Sequence, residues 1–218
     1  MTGSTKVVAI DGPAGSGKST VARKVAEETG LAYLDTGAMY RAITLGVLNR
    51  AIDPEDRDGV AAVLDEIDIE VGRSTVIVDG AAATDAIRSA TVTRSVSAVA
   101  ANPAVRSALV RLQREWISQQ DGGVLEGRDI GSVVAPDAAV KVFLTASTRE
   151  RARRRALETG GDVDEVEADI IRRDGLDSSR DDSPLIVAHD ATTVDTTGVP
   201  INEVVDAIVA MAAEADLI

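Results

Sequence analysis

Gly12-Pro-Ala-Gly-Ser-Gly-Lys-Ser19 decides how this chain is read. The stretch is a complete G-x-x-x-x-G-K-[ST] pattern, and each position has a physical task. Glycines let backbone N–H groups converge on a polyphosphate, the lysine reaches the β- and γ-phosphates, and the final hydroxyl ligates Mg²⁺. The flanks match what the motif requires. Lys6-Val-Val-Ala-Ile10 is a short β-branched run suited to a buried parallel strand, and Val21, Ala22, Val25 and Ala26 repeat at helical spacing after Ser19. A glycine-rich turn that binds nothing is the plain alternative, but a chance match so placed between strand and helix is rare. A nucleoside triphosphate donor is expected. Its cradle is Gly12, Pro13, Ala14, Gly15, Ser16, Gly17, Lys18, Ser19 and Thr20.

Composition narrows the partners. The 218 residues suffice for one α/β domain with insertions, and only 2% are aromatic, so the core must be Val, Ile, Leu and Ala. A formal net charge of −13 disfavours a nucleic-acid polymer, whose backbone rewards the opposite sign. Single nucleotides stay compatible, because a local arginine cluster can bind one phosphate. Without cysteine there is no disulfide, thiolate nucleophile or Cys-based zinc site. No apolar run approaches the roughly 20 residues of a membrane span, and no signal-peptide pattern opens the chain. The expectation is a soluble cytoplasmic protein, a monomer, with no membrane partner.

Five apolar runs predict strands: Lys6–Ile10, Leu31–Leu34, Val124–Glu126, Val140–Leu144 and Thr193–Asp195. Helical patterns separate them, which predicts a parallel sheet covered on both faces. Asp53-Pro54 and Asn102-Pro103 each place a capping side chain before a proline at a first helical position. Ser147 with Glu150, and Asp162 with Glu165, have capping-box spacing. Pro200 opens a last amphipathic helix to about Ala213.

Two segments interrupt this alternation. Asp68–Val71 and Thr75–Asp79, joined by Gly72-Arg73-Ser74, predict a hairpin, with Ala83–Ile87 as a possible third antiparallel strand. The Asp- and Arg-rich stretch from Gly160 to Pro184 predicts a helix and then a polar loop able to serve as a lid. The expected organisation is one domain over 1–218. Its core takes 1–59, 97–159 and 185–218, with an insert at about 60–96 and a lid at about 160–184.

Arginines mark where the phosphoryl group goes. Leu34-Asp-Thr-Gly-Ala-Met-Tyr-Arg41 and Gly127-Arg128-Asp129-Ile-Gly-Ser132 both follow predicted strands. They fall on the edge of the sheet where open α/β folds bind ligands. The guanidinium fork matches phosphate oxygens bidentately. Isolated arginines such as Arg57 and Arg73 read as solvated surface. Arg172-Arg173-Asp174-Gly-Leu-Asp177-Ser-Ser-Arg180 fits either a phosphate clamp or ordinary soluble surface.

Together these motifs carry a resemblance. The phosphate loop, Leu34–Arg41, Glu126-Gly-Arg-Asp-Ile-Gly-Ser-Val-Val-Ala-Pro-Asp137, and Arg173-Asp-x-x-Asp177-x-x-Arg180 with Ser183-Pro-Leu resemble the bacterial cytidylate kinases over essentially the whole chain. The resemblance implies a P-loop nucleoside triphosphate hydrolase-like α/β sandwich with a five-stranded parallel sheet. It also implies an inserted antiparallel β subdomain, a short lid, and transfer of the γ-phosphoryl of ATP to CMP or dCMP with Mg²⁺. Site roles follow residue by residue. Lys18 and the loop take ATP, with Ser19 on the metal. Arg41 and Arg128 hold the acceptor phosphate, and Asp129, Ser97 and Arg106 read cytosine. Tyr40, Arg173, Asp177 and Arg180 contact sugar and phosphate. Asp129 suits its part, because a carboxylate accepts the N4 amino hydrogen of cytosine, whereas uracil offers a carbonyl there. Arg151 and Arg155, one helical turn apart, are expected to approach ATP. Asp35 could be offered as a base for a hydroxyl acceptor, but with a phosphate acceptor it is expected to orient the loop or nearby water. Thr36 stands where some members have Ser and keeps the hydroxyl.

Other readings are weaker. A kinase for UMP or a shikimate-like acceptor shares the donor loop. A regulatory GTPase is disfavoured because no guanine-reading Asn-Lys-x-Asp is present, and the Asp56-x-x-Gly59 match does not follow a strand. The joint presence of Lys18, Arg41, Arg128 and Asp129 argues against an ATP-binding protein without catalysis. His189, the one histidine, reads as surface.

Overall fold

A computed structural model describes residues 5–178 and 185–218. In chain order the first elements are β1 (Thr5–Asp11), α1 (Lys18–Thr29), β2 (Tyr33–Asp35), α2 (Thr36–Asn49) and α3 (Arg57–Ala62). There follow β3 (Ile69–Val71), β4 (Val76–Val78), β5 (Ala81–Ala82), α4 (Ala90–Ala100) and α5 (Pro103–Gln120). The last are β6 (Gly123–Gly127), β7 (Ala138–Thr145), α6 (Thr148–Thr159), α7 (Val163–Ser178), β8 (Thr192–Asp195) and α8 (Ile201–Glu214).

A five-stranded sheet runs in the order β2-β6-β1-β7-β8. The central strand β1 pairs in parallel with β6 on one side and β7 on the other, and β7 pairs in parallel with β8. Val7, Val8, Ala9 and Ile10 are all fully buried, so side chains pointing both ways from β1 are covered. That is the environment which makes a parallel strand read as an unbroken apolar run. On one face Val8, Ile10, Val124, Val142 and Leu144 pack with Val21 and Val25 of α1 and Val204 and Ile208 of α8. Burying each such Val or Ile contributes about 1.5–3 kcal/mol, and an aliphatic core needs no aromatic side chains. The architecture is a P-loop nucleoside triphosphate hydrolase-like α/β sandwich.

The chain divides into two compact units, residues 1–33 with 117–218, and residues 34–116. The second holds a small antiparallel sheet, β3-β4-β5, against which α2 packs. Arg50, just past α2, donates to the Asp79 carboxylate at 2.7 Å and to the Glu66 carbonyl at 2.6 Å, tying the hairpin to the helix. Arg50 also holds the Asp79 carboxyl below the ordinary carboxylate range.

Two local expectations are corrected. The third antiparallel strand is Ala81–Ala82 and not Ala83–Ile87. Ala83 N–H still reaches back to the Val76 carbonyl, and the chain then turns into a short 3₁₀ segment, Ala86–Arg88. The helix expected at Asp53-Pro54 begins instead at Arg57. Asp53 closes a turn by accepting from Glu55 N–H, and Asp56 is the cap, accepting from Gly59 N–H at 3.0 Å. Asn102, Ser147 and Asp162 do cap, each accepting from a backbone N–H two or three residues on. Among the described residues no helix is long and apolar enough to cross a membrane.

Candidate functional site

The donor loop is shaped by what lies behind it. Gly12 has φ 149°, and a Cβ there would sit 2.1 Å from the Leu144 carbonyl oxygen of β7. Gly15 has φ 77°, with its would-be Cβ 3.0 Å from the carbonyl oxygen of Arg151 on α6. Side chains are excluded at both points by backbone contact and by conformation. Ser16 is fully buried, and Lys18 is 7% exposed with Nζ donating to the Pro13 carbonyl at 2.7 Å. The lysine charge is thereby held over the loop. Ser19 Oγ donates to Glu126 Oε2 at 2.8 Å, and Tyr33 Oη donates to the other oxygen of that buried carboxylate.

Arg151 sits behind the loop. It is 5% exposed and donates to the carbonyls of Ala14 and Ala146, both at 3.1 Å, and to Thr148 Oγ1 at 3.2 Å. The same guanidinium pairs with Asp174 of α7 at 2.6 Å. Its contacts therefore brace the loop from the protein side. Arg155 pairs with Glu158 at 3.0 Å along α6.

Strand register brings the second cluster to the donor loop. Asp11 of β1 pairs with Gly127 of β6, so Arg128 and Asp129 leave the sheet at the level where Gly12 does. Asp129 is 5% exposed, and Arg128 is half-buried with Nη1 3.4 Å from the Gly127 carbonyl. The following residues, Ile130–Val134, form one π-helical turn. Asp11 caps its start from outside, accepting from Ile130 N–H at 2.9 Å and Gly131 N–H at 2.8 Å. Burial pushes the Asp11 carboxyl up to about 6, with the neighbouring Asp129 charge adding to the rise; the two N–H donors and Lys18 oppose it.

In the second unit, Asp35 caps α2 by accepting from Ala38 N–H at 2.9 Å, and Arg88 lies 3.5 Å from its other oxygen. Thr36, the first residue of that helix, is buried. Arg41 donates to the Ile87 carbonyl at 3.2 Å and to Thr93 Oγ1 at 3.0 Å. Thr93 and Ser97 are four apart on α4, so Arg41 meets the helix face that carries half-buried Ser97. Arg106 of α5 is 3% exposed, with its guanidinium 5.8 Å over the Tyr40 ring. Arg173 is half-buried on α7. Arg180 and the Asp177 side chain lie outside the described residues.

The chain matches the family model described as cytidylate kinase over residues 8–214. It belongs to the cytidylate kinase family. A cytidylate kinase from Limosilactobacillus fermentum is 50% identical over 210 residues, covering 92% of each chain. A bifunctional pantoate ligase/cytidylate kinase from Synechococcus sp. (strain WH7803) is 51% identical over 213 residues. That match covers 93% of this chain, which spans only 43% of the fused relative's length. A gluconokinase from Sinorhizobium meliloti 1021 superposes with a TM-score of 0.53 at 15% identity, covering 97% of this chain and 94% of its own. That likeness concerns the fold alone.

Two carboxylates of this cytidylate kinase family chain are not singled out by the sequence motifs: Asp11, and Glu126, which lies inside one. Asp11 is the last residue of β1 and Glu126 the last but one of β6, each following a run of apolar residues at the edge where such sheets bind ligands. An acidic residue closing a run of Val, Ile or Leu at that edge was the available signal.

Proposed function

We propose that this chain transfers the γ-phosphoryl group of ATP to CMP or dCMP, giving ADP and CDP or dCDP. The observation that carries the proposal is the Asp11–Gly127 pairing. It sets the lysine-bearing loop beside a turn with one arginine and one buried aspartate, groups whose chemistry suits a phosphate and a base amino group. Family membership and the 50% identical relative support the same acceptor.

In this reading Lys18 and the loop N–H groups hold the donor phosphates, while Arg41 and Arg128 take the acceptor phosphate. Asp129, Ser97 and Arg106 discriminate the base, and Tyr40, Arg173, Asp177 and Arg180 take sugar and phosphate. Asp35 and Thr36 shape the acceptor segment. Arg151 and Arg155 serve the ATP side, Arg151 through the Ala14 carbonyl that it holds. No general base is needed. The nucleophile is an acceptor phosphate oxygen with a second pKa of about 6, so it is already dianionic at neutral pH. What remains for the protein is alignment and neutralisation of charge in a water-poor site.

Mg²⁺ fits the donor side. One hydroxyl and one carboxylate, Ser19 and Glu126, suit a cation that keeps its waters and is otherwise held by substrate phosphates. Bound there, it would neutralise charge on the transferring phosphate. The chain acts in this proposal as one domain, a cytoplasmic monomer.

The test is ADP release with ATP and a panel of CMP, dCMP, UMP, AMP and GMP. Efficient turnover of CMP or dCMP with little of UMP is expected. UMP turnover as efficient as CMP, or turnover of none, overturns the proposal.

A further inference from the structure

Asp11 lies outside the residues assigned above to donor or acceptor, yet it touches the frame of both. It is the last residue of β1, and the donor loop starts at its C-terminal neighbour, Gly12. Its two carboxylate oxygens are divided between the N–H groups of Ile130 and Gly131, which directly follow Arg128-Asp129. It is 6% exposed, and both Lys18 and Asp129 act on it electrostatically. Next to it, the backbone at Gly131 is hemmed in by Lys141. A Cβ at Gly131 would meet Lys141 Cδ at 3.2 Å and an Asp11 oxygen at 3.5 Å. A buried carboxylate is costly there, and a neutral side chain on a parallel strand would avoid that cost. What the carboxylate provides is a two-point acceptor for the turn that follows Arg128-Asp129.

We infer that Asp11 is the positioning residue for acceptor recognition, holding the Arg128-Asp129 turn in register with the donor loop through its two backbone hydrogen bonds. The inference rests on the proposed (d)CMP kinase reading. Asp11 touches neither nucleotide in this account. It acts through the turn, so its loss is felt at the acceptor base and phosphate more than at ATP. An Asp11→Asn substitution keeps size and one acceptor but sets an amide NH₂ against a backbone N–H, which frees one side of the turn.

The experiment measures kcat and KM for CMP, UMP and ATP in wild type and D11N, with binding of a fluorescent ATP analogue measured alongside. A misplacement of about 1 Å costs on the order of a hundredfold, so D11N should lose roughly tenfold to a hundredfold in kcat/KM for CMP. Loss for UMP should be smaller, narrowing CMP-over-UMP selectivity, and KM for ATP should stay within about twofold, a change too small to register as a lost hydrogen bond. A purely structural role would lower the active fraction and reduce CMP and UMP turnover by the same factor, which overturns the inference. If D11N fails to bind the ATP analogue, the same ratio is read on D11A, which removes the buried charge altogether. Loss of analogue binding in both variants makes Asp11 a determinant of folding and also overturns it. Wild-type protein inactive on CMP and dCMP sinks the functional reading instead, so the two failures are distinguishable.

Discussion

Ser19 Oγ donates to Glu126 Oε2 at 2.8 Å, joining the first turn of α1 to the end of β6. Glu126 also accepts from Tyr33, so its carboxylate is oriented from two directions and is 4% exposed. In the proposed reading, such a partner would set the direction of the hydroxyl lone pairs toward a metal on the phosphates. Partners of this kind typically govern 10- to 100-fold in metal affinity or activity. Glu126→Gln should therefore raise the half-saturating Mg²⁺ concentration and lower kcat by about that range. A Mg²⁺ titration of turnover reads both. Superimposable curves for wild type and E126Q would remove Glu126 from the metal's surroundings.

Lys18 places its charge over the loop through the Pro13 carbonyl. In the proposed reading, replacing it with Ala removes the cation that follows the migrating phosphoryl group and little of the core. Turnover should drop by roughly two to four orders of magnitude, the scale of electrostatic transition-state groups, with an unchanged circular dichroism spectrum. Turnover within a few-fold of wild type would show that another group neutralises that charge.

Asp129 is buried at a strand end with Arg128 beside it. In the proposed reading, Asp129→Ala leaves the phosphate clamp in place but removes the acceptor for the cytosine amino group. Selectivity for CMP over UMP should fall by roughly 1–3 kcal/mol, the worth of one good base contact. Competition between the two acceptors in one reaction measures the ratio directly. A preserved ratio would mean that Ser97 and Arg106 read the base alone.

How much of this was legible beforehand follows from where the information lies. The donor loop and the five core strands could be read, because local backbone demands and buried apolar runs leave marks on contiguous residues. Asp53-Pro54 misled because the Asx-Pro signal serves turns as readily as helices, and Asp56, three residues on, had the equivalent side chain. Arg151 illustrates the harder kind. Its helical spacing with Arg155 is visible, but its partners include Ala14 and Asp174, which only tertiary packing brings near. Asp11 and Glu126 were hidden in the same way. Their partners, Gly131 and Ser19, are 120 and 107 residues away.

Asn102 shows a reading that carried through to energetics. It is 4% exposed, accepts from Ala104 N–H at 3.0 Å, and donates to the Arg57 carbonyl at 2.9 Å. Asn102→Ala removes the cap at the start of α5 and takes away the side-chain donor to the Arg57 carbonyl. A loss of about 0.5–2 kcal/mol is expected, the usual worth of such a cap. Urea unfolding at neutral pH gives the number, and a change below about 0.5 kcal/mol, the level of ordinary surface substitutions, would show that neither bond matters to stability.

The Asp11 carboxyl ties stability to pH in an unusual direction. Its folded value of about 6 lies above the ordinary 3.8, so the folded chain binds this proton more tightly than the unfolded one. The stabilisation from protonating Asp11 is thus full below about pH 3.8 and is lost as pH rises through about 6. The interval corresponds to about 3 kcal/mol in total, set against the two N–H bonds that the ionised form receives. Other carboxylates run the opposite way. Asp79 and Asp190, held low by Arg50 and Lys141, lose stability only as pH falls. Comparing wild type with D11N isolates the group. The stability difference between them should move in favour of D11N by up to about 3 kcal/mol between pH 4 and pH 7, and then stay level. Chemical denaturation at intervals across that range measures it. A difference independent of pH would mean that Asp11 titrates like an exposed carboxylate, and that burial at the end of β1 exacts no cost.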